Sequence, residues 1–166
     1  MPNVRGITSV FERVKNLLNG YSPLTTYLKQ IYIHKNNFYE AIPDVLSPAI
    51  ILNDNGETFL DAGGNPASIG SKNVIKTRVY NIQIIAVVKY LIEEAVLIGD
   101  ASSIGIIDFS HLIEDALNSD KTLSGNLWDL TYEGWEAVDI LDTENQSLFA
   151  LGRQTTLLYN GKPEQI

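Results

Sequence analysis

The stretch from Asp61 to Lys72, DAGGNPASIGSK, gathers three glycines with serine and lysine, the residue types that build a phosphate-binding loop. Such a loop needs two glycines separated by four residues, then Lys, then Ser or Thr. Here five residues separate Gly64 from Gly70, and Ser71 precedes the lysine. The residues that follow alternate like a strand, whereas a phosphate loop leads into a helix. We therefore expect a flexible loop between two strands, without a nucleotide site.

Other residues with reactive side chains are sparse. His34 and His111 lack a second ligand at a recognised metal-binding spacing, no G-x-S-x-G elbow is present, and there is no cysteine. Asp139, Asp142 and Glu144 match neither an EF-hand loop nor an obvious glycosidase pair, so a solvated turn is the better reading. A carboxylate pair from distant parts of the chain stays open. The sequence predicts no catalytic, cofactor-binding or metal-ligating residue, and no enzyme.

Composition and charge limit the possible functions. The 166 residues, 45 % of them hydrophobic, predict a single domain, 1–166. A net charge of −8 argues against binding nucleic acid through phosphate neutralisation. Residues 1–90 carry nine Lys/Arg and six Asp/Glu, a net +3, whereas residues 91–166 carry three and fourteen, a net −11. Two faces of opposite sign would let copies pair head to tail, and an acidic surface that only aids solubility is an equal alternative.

No segment predicts contact with a membrane. Apolar runs such as IIAVV are too short to span a bilayer, and the first residues lack the continuous apolar stretch of a signal peptide. We expect a soluble protein of a cytoplasmic compartment.

Two segments have the apolar spacing of a helix that buries one face. The first covers residues 7–18 and stops at Asn19-Gly20, because Gly tolerates the left-handed conformation. The second covers residues 108–118, with Asp108 as its N-cap. Its predicted buried stripe consists of Phe109, Leu112, Ile113, Ala116 and Leu117.

Residues 77–90 are the clearest strand, because their side chains alternate over the whole length. One face is apolar throughout, from Tyr80 to Tyr90. The other face is polar at first and apolar from Ile85, so its far end must be covered by the chain itself or by a neighbouring subunit.

The remaining strands are shorter. Residues 29–35 and 49–53 form two of them, and Asp54-Asn55-Gly56 predicts a tight turn into a paired strand over 57–61. Residues 128–141 and 147–159 alternate and predict a long antiparallel pair.

The order of elements predicts an α+β fold, because helices and strands do not alternate regularly. We expect an antiparallel sheet with two main helices on one face, a β-hairpin extension, and a loose tail over 160–166. Trp128, Tyr132 and Trp135 belong either to the core, the favoured reading, or to an interface, where aromatic residues often anchor binding.

The C-terminal half contains the phrase D-x-T-L-x-G, formed by Asp120, Thr122, Leu123 and Gly125 between a helix and a strand. This arrangement resembles the tail terminator and tail-completion proteins of long-tailed bacteriophages. The N-terminal helix, the long central strand and the final strand also follow that family's order over roughly residues 5–160. The segment 91–106 is longer than in compact members, as an extra element or a lid-like extension would be.

The resemblance implies a structural virion protein without cofactor or catalysis. Such proteins form a hexameric ring at the head-proximal end of the tail tube, stop its polymerisation and dock the neck. The implied partners are further copies of the chain, the tail-tube protein and a neck or head-completion protein. DNA passes through the lumen without specific binding, and assembly takes place in the host cytoplasm.

Charge and aromatic content predict the residues that contact a neighbouring subunit or partner. They are Lys72, Lys76, Arg78, Glu133, Trp135, Glu136 and Asp139. Two alternatives stay open. One is a head-completion or neck connector of the same assembly, and the other is a small ligand-binding or enzymatic domain with a cleft lined by Tyr80, Tyr90 and Trp135.

Overall fold

The computed structural model describes residues 7–33, 46–67, 75–125, 127, 129–139, 149–161 and 164–165. These residues form an α+β fold, as predicted: a mixed β-sheet carries its helices on one face. The helices are α1 (Ile7–Gly20), α2 (Ser22–Thr25), α3 (Glu93–Ile98) and α4 (Ile106–Asn118). The strands are β1 (Gln30–Ile33), β2 (Ala49–Leu60), β3 (Ile75–Tyr90), β4 (Asp129–Tyr132), β5 (Glu136–Asp139), β6 (Phe149–Asn160) and β7 (Glu164–Gln165).

The sheet runs in the order β1-β2-β3-β6. The short strands β4 and β5 both pair with the outer edge of β6, one after the other along its length. Every pair is antiparallel except β1 and β2, which run parallel from Gln30 opposite Ala49 to Ile33 opposite Leu52. A wholly antiparallel sheet was therefore the wrong expectation at this edge. Residues 34–48 supply the connection of a dozen or more residues that a parallel neighbour requires.

The predicted central strand is confirmed as β3, which is buried on both faces over its second half. The face that carries Ile84 and Val88 packs against the helices. On the opposite face, Ile85 and Val87 form a second buried cluster with Ala49 and Ile51 of β2. Because these side chains are buried in the single chain, the cover comes from the chain itself and not from a neighbouring subunit.

Both predicted helices form, and each buries its predicted stripe in the described residues. In α1, Val10, Phe11, Val14 and Leu18 are buried and Leu17 is half-buried. In α4 the stripe is buried except for the half-buried Leu112. The predicted N-cap was wrong, because α4 begins at Ile106 and its cap is Gly105, with Asp108 in the first turn. The Phe109 N–H already donates to the Gly105 carbonyl at 3.0 Å, which starts the helix earlier than the apolar pattern indicated.

The predicted hairpin at Asp54-Asn55-Gly56 is wrong, since β2 continues through these residues. The Asp54 carboxylate accepts the Gly56 N–H at 2.8 Å, and Gly56 has φ +90°. Asp54 of β2 lies opposite Ile82 of β3, and the next paired residue of β2, Glu57, lies opposite Tyr80. The strand β2 therefore advances by three residues where β3 advances by two, so β2 contains one extra residue. The turn signal therefore marks a β-bulge, because β3 pairs with the strand on both sides of it.

The C-terminal strand pair is confirmed, with a break. Both β4 and β5 pair antiparallel with β6, and residues 133–135 separate them at Gly134, which has φ +96°. A loose tail was expected over residues 160–166, and this is wrong for residues 160 and 164–165, which belong to strands. Asn160 ends β6, and β7 pairs with Lys76 and Ile75 at the start of β3.

Tyr159 and Tyr90 provide a matched test of this core. The Tyr159 hydroxyl is buried and has no hydrogen-bond partner among the described residues, and burial raises its pKa. The Tyr90 hydroxyl donates to the Ile104 carbonyl at 2.7 Å. An unpaired buried hydroxyl destabilises the fold, whereas a made hydrogen bond contributes about 1 kcal/mol.

We predict that Tyr159→Phe leaves the free energy of unfolding unchanged or raises it by up to about 1 kcal/mol. Tyr90→Phe lowers it by about 1 kcal/mol. Urea unfolding of the two variants beside the wild type measures both values. A larger loss for Tyr159→Phe than for Tyr90→Phe would contradict this account of the core.

Candidate functional site

Two of the predicted basic interface residues are buried or paired within their own chain. Lys76 is only 1 % exposed, so its side chain is not available to a partner in this conformation. Arg78 forms an ion pair with Glu57 at 2.9 Å, and its guanidinium lies 4.9 Å from the centre of the Phe59 ring. Lys72 lies outside the described residues.

The predicted acidic and aromatic interface residues meet at the break between β4 and β5. Glu133 and Glu136 are exposed there, and Glu136 accepts a bond from the Gln154 amide at 3.4 Å. Trp135 is half-buried against the core, and its indole N–H donates to the Glu114 carboxylate of α4. Asp139 ends β5, and its side chain lies outside the described part of the molecule.

This acidic edge is distant from Arg78. Arg78 lies opposite Phe59, whereas Glu136 is placed through Gln154 opposite Ile85, seven residues along β3. That separation is about 23 Å at the rise of a strand. The structure therefore does not bring the two charged groups of the prediction together within one chain. Their role in contacts between chains stays a prediction.

The structure shows for two of the three aromatic residues whether they belong to the core or to an exposed surface. Trp135 and Tyr132 pack against the core from partly buried positions, in line with the favoured reading, and Trp128 falls outside the described residues. Burial and the nearby Glu114 carboxylate raise the pKa of the Tyr132 hydroxyl. The proposed cleft of Tyr80, Tyr90 and Trp135 does not form: the two tyrosines are ten residues apart on β3, or about 33 Å.

A different surface stands out at the end of the sheet where β3 finishes and β6 begins. Tyr90 pairs with Phe149, and α3 follows directly after β3. Five large apolar side chains in this region are between 44 % and 69 % exposed. We call them the apical surface: Leu91, Ile92, Leu97, Ile98 and Phe149.

The loop after α3 holds the apical surface in place. The Asp100 carboxylate accepts the N–H groups of Ser102 and Ser103 at 2.9 and 2.8 Å, and these bonds, the one from Ser102 first, lower its pKa. Gly99 and Gly105 touch backbone to backbone: a Cβ on Gly105 would lie 2.5 Å from the Gly99 nitrogen. The segment 91–106 therefore forms a short helix and a closed loop, and whether it is an addition to the resembled family stays a prediction.

A groove of about 650 Å³ adjoins the apical surface at Ile98. One wall comes from α2 and Tyr27, and the other from the loop after α3 and the first turns of α4. Asp100, Asp108 and His111 line it, and neither Lys nor Arg is among its lining residues. Within the described parts of the chain, no group of three or more His, Cys, Asp or Glu is placed to hold a metal ion.

The residues of the D-x-T-L-x-G phrase form a closed turn after α4. The Asp120 carboxylate accepts the N–H groups of Thr122 and Ser124, at 3.3 and 2.7 Å, and the Thr122 hydroxyl accepts the Gly125 N–H at 3.1 Å. Leu123, Ser124 and Gly125 all have positive φ, 48°, 61° and 78°. Two adjacent non-Gly residues in this region are strained, and such strain persists only where its surroundings hold it in place.

Sequence reasoning missed the apical surface because the segment 91–106 was considered only as an extra element or a lid-like extension, without asking which of its apolar residues would be exposed. The available signal was the run LIEEAVLIGD, in which apolar residues occupy more positions than one face of a six-residue helix can bury. Only Ala95 and Val96 of α3 are buried. The remaining apolar residues must then point outward.

Comparisons with known proteins add no relative. No protein-family model matches the chain, and no curated protein matches it. Among the described residues, no helix is both long and apolar enough to cross a bilayer.

We predict that Gly105→Ala destabilises the fold by about 2 to 3 kcal/mol, because the added Cβ overlaps the backbone of Gly99. Gly20→Ala is the matched control, since a Cβ at Gly20 meets no atom within 4 Å. Thermal and urea unfolding measure the difference. Equal stability of the two variants would show that the loop after α3 is not closed as described.

Proposed function

We propose that the chain is a structural subunit that assembles with copies of itself into a closed ring, and that this ring is a phage tail terminator. The observation that carries the proposal is the apical surface. A monomer rarely exposes several large apolar residues side by side, and such patches mark surfaces that another molecule covers. Elsewhere in the described residues, exposed apolar side chains such as Ile33 and Ile75 occur singly, as on any monomer.

The stiffness of the apical surface supports assembly over the binding of a mobile ligand. Its residues lie on α3, on the two-residue link between β3 and α3, and at the start of β6, and the Gly99–Gly105 contact closes the loop behind them. A preformed surface loses little conformational entropy when a partner covers it. An apolar surface of this kind is therefore suited to a permanent contact between subunits.

The terminator assignment comes from the resemblance of the D-x-T-L-x-G turn and the element order, together with the charge. Exposed acidic residues such as Glu93, Asp115 and Glu133 repel phosphates, which suits a conduit that DNA must traverse without sticking. In this proposal the ring sits at the head-proximal end of the tail tube. The tube protein binds one side of it, and a neck or head-completion protein binds the other.

Two alternatives remain as competing proposals. A head-completion or neck connector would form a ring by the same contacts and bind a different neighbour. A small ligand-binding domain would instead use the groove beside Asp108 and His111. The first alternative predicts rings that ignore tail tubes, and the second predicts a monomer.

We predict that Ile92→Asp weakens self-association at least tenfold, because it places a charge in a contact that excludes water. Ile75→Asp is the matched control: Ile75 is 57 % exposed and Ile92 is 61 % exposed, but Ile75 lies at the opposite end of β3. Sedimentation over a concentration series measures both. If the two substitutions change association equally, the apical surface is not the contact.

A second prediction separates the terminator from the connector. When the wild-type protein is added to polymerising cognate tail-tube subunits, tubes should stop growing and carry the protein at one end in negative-stain images. Ile92→Asp should leave tube growth unchanged, because only an assembled ring caps the tube. Rings that bind head-completion protein and leave the tubes to elongate would replace the terminator proposal by the connector.

A further inference from the structure

We propose that neighbouring copies join by seating the turn Asp120–Gly125 of one subunit in the groove beside Asp108 of the next. This inference rests on the proposed ring and goes beyond it, because it adds to the apical surface a second, charged contact between neighbouring copies. The occupant is a second copy of this chain, and Lys121 is the side chain that enters the groove.

Charge complementarity supports this occupant. The groove is lined by the carboxylates of Asp100 and Asp108 and by no Lys or Arg, so it favours a cation. Its other walls, Tyr27 and Ile98, are exposed apolar surface suited to the stem of a long basic side chain. Lys121 is exposed at the tip of its turn.

The turn has the properties of a preformed docking element. Leu123 is buried and anchors it, while Lys121, Ser124 and Gly125 are exposed. Its left-handed backbone is held by the Asp120 carboxylate. Such a backbone is strained for residues other than glycine, and the buried Leu123 helps to hold it, so the turn keeps its shape with Lys121 exposed.

The positions of the two surfaces explain why the contact would build a ring. Asp108 lies in the first turn of α4, and Lys121 follows its last turn. The ten residues of α4 that follow Asp108 separate the two surfaces by about 15 Å along the helix, before the turn itself begins. Two different surfaces at opposite ends of an element give a head-to-tail contact, which repeats from copy to copy and closes when the rotation allows.

The test is a charge exchange between the two surfaces. We predict that Asp108→Lys and Lys121→Asp each weaken self-association at least tenfold, and that the double variant Asp108→Lys/Lys121→Asp restores it to within about threefold of wild type. Sedimentation over a concentration series, alone and with tail tubes, measures association. Each substitution is unfavourable for the dipole of α4, so a recovery in the double variant cannot come from a more stable subunit.

Glu12→Lys and Lys15→Asp on α1 make the same charge changes at residues that line neither the groove nor the pocket beside the turn, and they should leave association near wild type. If the groove and turn variants behave like these controls while Ile92→Asp still dissociates the assembly, this inference is wrong and the proposed function stands. A wild-type chain that stays monomeric both alone and with tail tubes overturns both.

Discussion

The whole arrangement depends on the burial of both faces of β3. One face of this sixteen-residue strand packs against the helices, and on the other face Ile85 and Val87 are buried in a cluster with Ile51 of β2. Burying a side chain of this kind contributes about 1.5 to 3 kcal/mol, so leaving either face open would remove much of the stability of a single domain. The chain satisfies both faces by itself. The proposed contact between copies is therefore placed elsewhere, at the end of the sheet where β3 finishes.

Beyond the end of β3, where neither face of the strand needs further cover, apolar residues are exposed to solvent. After Tyr90 the chain must return to the helix face, and it does so through α3 and the closed loop that Tyr90 itself holds at Ile104. Only one side of so short a helix can reach the core. The other side, with the end of the strand, becomes the apical surface. The same return path forms one wall of the acidic groove, so the two features have a common origin.

The elements whose burial repeats along the chain were predictable from sequence. The stripes of α1 and α4 and the alternation of β3 were of this kind, and the structure confirms them. The turn signal at Asp54–Gly56 did not produce a hairpin, because β3 pairs with β2 both before and after these residues. The local turn is therefore a bulge within one strand. The predicted interface was charged, yet Arg78 is paired with Glu57, twenty-one residues away in sequence. Exposure of Leu97 or Ile98 depends on which face of α3 reaches the core, and spacing alone does not decide that.

The central claim is that copies of this chain close into a ring of fixed size. Native mass spectrometry of the wild-type protein over a concentration series tests it most directly. The account predicts one closed species, of about six subunits, whose subunit number does not change as concentration rises. A monomer at every concentration, with and without tail tubes, or a polymer that keeps growing, would contradict it.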